Sequence, residues 1–120
     1  MQYMLIFKES EAKFSERDHP ETGPEYWGAW MAYIDDLGGA GVIVNGHGLQ
    51  PPHTATIVRQ RDGRRDVQDG PYPDSKEQLG GYFVIDVPDL DAALDWAARA
   101  PAASYGSVEV RPVLPPPPAR

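Results

Sequence analysis

Three short apolar runs constrain this chain more than any other feature: Tyr3-Met4-Leu5-Ile6-Phe7, Val42-Ile43-Val44 and Tyr82-Phe83-Val84-Ile85. None alternates between apolar and polar residues. A strand with one wetted face alternates with period two, so these runs read as strands that are apolar on both faces. Stretches of helical spacing follow the first and the third run. Two helices cover only one face of a sheet, so something further has to cover the other.

Taken in order, a first strand is expected over Gln2 to Lys8, and then a polar, irregular segment from Glu9 to Gly23. A helix starts at Thr22 to Pro24, where proline is tolerated in the first turn and Glu25 favours the positive end of the dipole. Trp27, Trp30, Met31, Ile34 and Leu37 form its apolar stripe, widened by Tyr26 and Tyr33, and Gly38-Gly39 ends it. Val42 to Val44 is a second strand, broken by Asn45-Gly46-His47-Gly48. Thr54 to Gln60 and Arg65 to Asp69 are strands joined by a hairpin turn at Asp62-Gly63. Gly80 to Val87 is the fifth strand. Asp89 caps a second helix with Leu90, Ala93, Leu94 and Ala97 as its buried stripe, stopped by Pro101. Val108 to Val113 is the last strand, and Pro115 to Pro118 a polyproline II arm beyond a single domain over residues 1–114.

The order β-α-β, hairpin, β-α-β describes an α+β, ferredoxin-like split β-α-β sandwich, an antiparallel sheet with two helices on one face. The simplest cover for the other face is the same face of a second copy, stacked about a two-fold axis to give a dimeric α+β barrel. A monomer with an open apolar face is the alternative.

Charge and composition exclude several classes of function. The net charge is −7, with basic residues gathered only weakly around Arg59 to Arg65, which argues against nucleic acid and anionic membranes. No apolar run approaches the roughly 20 residues that span a bilayer, and the N-terminus reads as a strand rather than a signal peptide. The absence of cysteine excludes disulfides and thiolate metal sites and fits a cytoplasmic address. His19, His47 and His53 lack metal-ligand spacing, so neither a metal nor another cofactor is expected.

Chemistry concentrates between Asp69 and Gly81, where Gly70, Pro71, Pro73, Gly80 and Gly81 prescribe the backbone path. Asp69, Glu77 and Lys76 either shuttle protons in a pocket or serve an Asx-type turn and a surface ion pair. His47, between two glycines, suits acid–base work or is an exposed loop histidine. Trp27, Trp30 and Tyr33 either line a pocket for a flat ligand or form plain core. Arg111 either holds a ligand carboxylate or pairs with Glu109. Gly80-Gly81 marks a β-bulge or close packing.

The run Asp69-Gly70-Pro71-Tyr72, with Ser75-Lys76-Glu77-Gln78-Leu79-Gly80-Gly81-Tyr82, resembles the signature of the DGPF group of YCII-related proteins. The likeness continues through Ile85 to Leu94, Trp96-Ala97-Ala98 and Val108 to Val113, and includes Leu49-Gln50-Pro51-Pro52 with Thr54-Ala55-Thr56. It implies a dimeric ferredoxin-like fold. Relatives include isomerases and dehydrochlorinases of small cyclic or chlorinated aromatic-derived molecules, and proteins encoded beside extracytoplasmic-function sigma factors. The wider group is described with a His–Asp pair whose histidine lies in the first helix. Here Tyr26 to Leu37 contains no histidine, so that pair does not carry over. Tyr72 stands where phenylalanine is typical, and Pro73-Asp74 where a small residue and glutamate are usual.

Two functions follow. One is a cofactor-free isomerase or lyase acting on a small cyclic or enolisable compound. In it Asp69 or Glu77 takes a proton, His47 or Tyr72 returns it, and Lys76 or Arg111 holds developing negative charge. The other is a dimer that binds a small molecule, or docks to a regulatory partner of the sigma-factor-associated type, without turnover. Whether the loop carboxylates converge on a partly apolar pocket separates the two.

Overall fold

A computed structural model describes residues 1–70 and 76–117. β1 (Gln2–Ser10) is its axis, followed by α1 (Glu11–Glu16), α2 (Gly23–Ala40) and β2 (Ile43–Gly48). After a 3₁₀ turn at Pro52–Thr54 come β3 (Thr56–Arg61), β4 (Arg64–Asp69) and β5 (Glu77–Asp86), then α3 (Leu90–Arg99), α4 (Ala102–Tyr105) and β6 (Ser107–Pro112). β1 pairs antiparallel with β5 on one side and β6 on the other, and β2 pairs with β5. The four-stranded order β2-β5-β1-β6 is the ferredoxin-like one, and β3-β4 form a separate two-stranded sheet. The expected fold class is therefore present, with the hairpin as an insertion between the two halves.

The core lies between one sheet face and the helices. Tyr3, Leu5, Phe7, Ile85 and Val87 meet Tyr26, Trp30, Tyr33 and Leu37 of α2 and Ala93 and Ala97 of α3. Phe7 is the hub, its ring edge-on to Trp30, Tyr33 and Phe83. On the opposite sheet face Met4 and Ile6 are half-buried. β1 thus alternates in burial although both of its faces are apolar in composition.

Four boundaries or faces differ from expectation, each for a local reason. The buried stripe of α2 runs Tyr26-Trp30-Tyr33-Leu37, while Trp27 and Met31 are exposed. Large tyrosine rings won the inward positions because their hydroxyls find partners there. The helix passes Gly38-Gly39 and ends on Gly41, whose left-handed φ of 68° provides the cap. In α3 only Ala93 and Ala97 are buried, and Leu90 and Leu94 face outward, because alanines allow the helix to sit close on the sheet. β2 continues through Asn45 to Gly48, since Gly46 and Gly48 pair with Phe83 and Gly81 rather than turning the chain.

The segment from Glu9 to Gly23 departs most. β1 extends to Ser10, whose side chain accepts a hydrogen bond from the Lys13 N–H and caps α1. No helix among the described residues is long and apolar enough to cross a membrane.

Candidate functional site

The inward positions of β1 are Tyr3, Leu5 and Phe7, and the next one is a carboxylate. Glu9 follows the same alternation into the core and is 1% exposed. A buried charge is stable only when paired and hydrogen-bonded. Tyr26 Oη donates to Glu9, 2.7 and 2.8 Å from its two oxygens, and Tyr105 Oη donates at 2.5 Å. Arg17 Nη2 completes an ion pair at 3.0 Å. Trp30 Nε1 in turn donates to Tyr105 Oη at 3.2 Å.

Arg17, just past α1, ties this cluster to the sheet edge. Its Nε donates to Tyr26 Oη at 3.0 Å, Nη1 to the Leu49 carbonyl at 2.5 Å and Nη2 to the Gly80 carbonyl at 3.2 Å. The guanidinium lies 4.8, 5.4 and 5.5 Å from the ring centres of Phe14, Trp27 and Tyr26. Such enclosure suits a planar, weakly hydrated cation. The approach depends on a bulge in β5, where the β1 register skips Gly80. A Cβ at Gly80 would lie 2.8 Å from Glu9 Oε1 and 2.9 Å from Phe14. Glycine is required there for close approach, as expected.

Burial pushes the Tyr26 hydroxyl up to about 12, with the Glu9 carboxylate adding to the effect. Tyr105 is raised further by the same two causes, and Tyr33 by burial. These phenols are therefore donors across the physiological range. Among the described residues no buried side-chain nitrogen or oxygen lacks a partner.

Beside this cluster, at the β2 edge of the sheet, is a cavity of about 120 Å³. Phe7, Trp27, Trp30, Ile34 and Phe83 give it apolar walls, and Arg17, Glu9 and Tyr26 a polar end. Gly48, Gly80 and Gly81 leave its floor without side chains, and His47 and Tyr82 stand at its rim. In register on neighbouring strands, His47 Nδ1 and Tyr82 Oη are 2.9 Å apart. That bond orients the imidazole and leaves Nε2 without a protein partner among the described residues. A wider groove of about 480 Å³ runs along α2 on the other side of Tyr26. Its ion pairs, Lys13 with Glu16 at 2.8 Å and Arg99 with Asp36 at 3.0 Å, are far more exposed than Arg17–Glu9. The smaller cavity is the stronger candidate, because polar groups converge there on apolar walls.

Of the residues singled out in the sequence, His47, Trp27 and Trp30 meet at this cavity. Tyr33 is core: its hydroxyl donates to the Trp96 carbonyl at 2.8 Å, and it borders only the wider groove. Asp69 is exposed at the end of β4 and Lys76 is exposed before β5. Glu77 accepts from Ser107 Oγ at 2.8 Å. Arg111 is exposed and paired with Glu109 at 2.5 Å, and Glu109, also bonded to Lys8, is held below the usual carboxylate range mainly by that lysine. None of these four lines either cavity. Tyr72 lies outside the described residues. No cluster of three or more histidines and carboxylates suited to a metal occurs among the described residues.

Glu9, Arg17, Tyr26, Tyr82 and Tyr105 were not anticipated as site residues. The signal for Glu9 was available in the alternation Tyr3, Leu5, Phe7, whose next inward position it occupies. Nothing local marks Arg17 or Tyr105, because their partner is distant in sequence.

The chain is similar to an uncharacterised protein of Rhizobium meliloti (strain 1021), with 45% identity over 67 residues, or 54% of each chain. It thus spans about half the length of the curated relative it matches. Among solved structures it is similar to the 5-chloro-2-hydroxyhydroquinone dehydrochlorinase TftG of Burkholderia phenoliruptrix AC1100, in complex with 2,5-dihydroxybenzoquinone. That likeness has a TM-score of 0.54 at 14% identity over 95% of this chain and 94% of the other, and it is a likeness of fold. A family model for the YCII-related domain matches residues 1–116, and the chain belongs to that family.

Proposed function

We propose that this YCII-related protein binds a small, flat cyclic compound in the cavity at the β2 edge and moves protons on it without a cofactor. The observation that carries this reading is a cavity of about 120 Å³ whose aromatic walls converge on Arg17, with His47 and Tyr82 among the residues at its rim. His47 Nε2 takes a proton from a carbon next to a carbonyl. The C–H electron pair passes into an enolate, whose charge is stabilised by Arg17. Return of the proton to a different carbon is an isomerisation, and departure of chloride from the neighbouring carbon is a dehydrochlorination. Glu9 accepts from three side chains, so its role is to hold Arg17 and Tyr26 in place. Asp69 and Glu77 stand aside from this chemistry, one exposed and the other engaged with Ser107.

The dehydrochlorinase activity of the fold neighbour supports this substrate class, and the Asp69-Gly70-Pro71-Tyr72 run supports placement in the DGPF group. The half-buried Met4 and Ile6 support a homodimer closed through the free sheet face, and the absence of cysteine fits a cytoplasmic setting. The test is turnover of small hydroxylated and chlorinated cyclic compounds, followed by chloride release and by deuterium uptake from solvent. His47→Gln is expected to abolish turnover while leaving ligand-induced thermal stabilisation within a few degrees of wild type. Saturable binding with no turnover in the wild type would leave the binding-only reading in its place.

A further inference from the structure

Two exposed surfaces on this chain have matching chemistry. The first is the β3-β4 hairpin, which among the described residues pairs as a strand only with itself. A lone two-stranded hairpin is marginally stable in water and gains from a surface to lie on. Val58 and Val67 are directly opposite in register and are 57% and 51% exposed. Arg59, Arg61, Arg64 and Arg65 outnumber Asp62, Asp66 and Asp69, which leaves this arm at +1 in a chain of −7. The rest of the molecule therefore carries −8.

The second surface is the outer face of α3. Leu90 and Leu94 lie one turn apart, 47% and 45% exposed, beside the exposed Asp91 and Asp95. Apolar residues at i and i+4 on an outward face, rimmed by acid, offer a short apolar stripe to a partner. Helix stripe and hairpin each consist of two aliphatic side chains with charges beside them, and the charges are of opposite sign. The chain is also spread out for its length. Its radius of gyration is 16.5 Å, against about 13.6 Å for a compact domain of this size.

We infer that the β3-β4 arm of one copy docks on α3 of a second copy, with Val58 and Val67 on Leu90 and Leu94 and arm arginines facing Asp91 and Asp95. The contact is distinct from the sheet-to-sheet pairing, because α3 lies on the opposite side of the sheet.

The chain has no cysteine, which allows a direct test. Val67→Cys and Leu94→Cys proteins are mixed and oxidised under mild conditions, with melting temperatures recorded to show that both remain folded. The mixed disulfide is expected to dominate over either homodimer at least threefold, and Val58→Asp in the arm protein is expected to return it to the statistical level. Mixed disulfide at or below the statistical level, or insensitive to Val58→Asp, would overturn the inference. An Ile6→Asp variant separates the two contacts. It is expected to lower the mass by light scattering while leaving the mixed disulfide intact, and its loss together with the disulfide would show that no independent arm contact exists.

Discussion

Replacing Glu9 by alanine tests the buried network at its centre. The substitution leaves the Arg17 cation, 9% exposed, without its counter-charge, and removes the acceptor for Tyr26 and Tyr105. Breaking a buried pair by removing one partner typically costs about 3–5 kcal/mol. Domains are stable by about 5–15 kcal/mol, so this one change takes a large part of the total. For a chain of this length the melting temperature should fall by roughly 10–20 °C. Glu9→Leu with Arg17→Met should behave differently, because exchanging the whole pair for apolar side chains is often close to neutral. Urea unfolding at pH 7 of Glu9→Leu, Arg17→Met and the double closes the cycle, provided that the slope with denaturant stays constant. A loss below about 1 kcal/mol in Glu9→Ala, or a double variant as unstable as the sum of the singles, would refute the reasoning, since neither fits a buried charge stranded by its partner's removal.

Stability should fall as pH rises above about 10, where an unfolded tyrosine starts to ionise. Tyr26, raised to about 12, stays protonated in the fold, so the native state holds the extra proton and is the one penalised by alkali. Thermal melts from pH 8 to pH 12 check this, and Tyr105→Phe should flatten the decline because a second raised phenol is then gone. At the glycines, Gly80→Ala should cost about 1–3 kcal/mol by overpacking, since its Cβ meets Glu9 and Phe14 at 2.8 and 2.9 Å. Gly48→Ala meets nothing within 4 Å and should leave chemical denaturation midpoints unchanged. Ser10→Ala removes the N-cap of α1 and should cost about 1 kcal/mol by the same measurement.

The fold was legible where local pattern and global topology agree. The non-alternating runs at Tyr3 to Phe7 and Tyr82 to Ile85 became the two central strands, and Asp89 caps α3 as its position suggested, accepting from the Ala92 N–H. Positive φ at Asp62 and Gly63 bears out the hairpin turn. What was not legible depends on contacts distant in sequence. The Glu9 to Gly23 stretch looks like a loop by composition, yet it supplies α1, the carboxylate and the arginine of the cluster. Their partners arrive from Tyr26, Gly80 and Tyr105. His47 looked like a loop residue because glycines flank it. Those glycines are instead strand positions, and Gly46 is required because a Cβ there would lie 2.8 Å from the Tyr82 carbonyl and inside the Phe83 ring. The Asp69 to Gly81 signature drew attention through its dense ionisable groups. Its described carboxylates serve the surface and Ser107, while Gly80 and Gly81 shape the site.

The claim that the β2-edge cavity is the ligand site rests most directly on whether filling it blocks binding. Gly48 faces this cavity without a positive φ and with open space around its missing Cβ, so Gly48→Leu should fold normally and occupy the floor. Calorimetric titration with 2,5-dihydroxybenzoquinone, the compound bound by the fold neighbour, compares wild type with this variant. The account predicts saturable one-site binding to the wild type, weakened at least tenfold in Gly48→Leu. Equal affinity in the two proteins would place the site elsewhere and contradict the account.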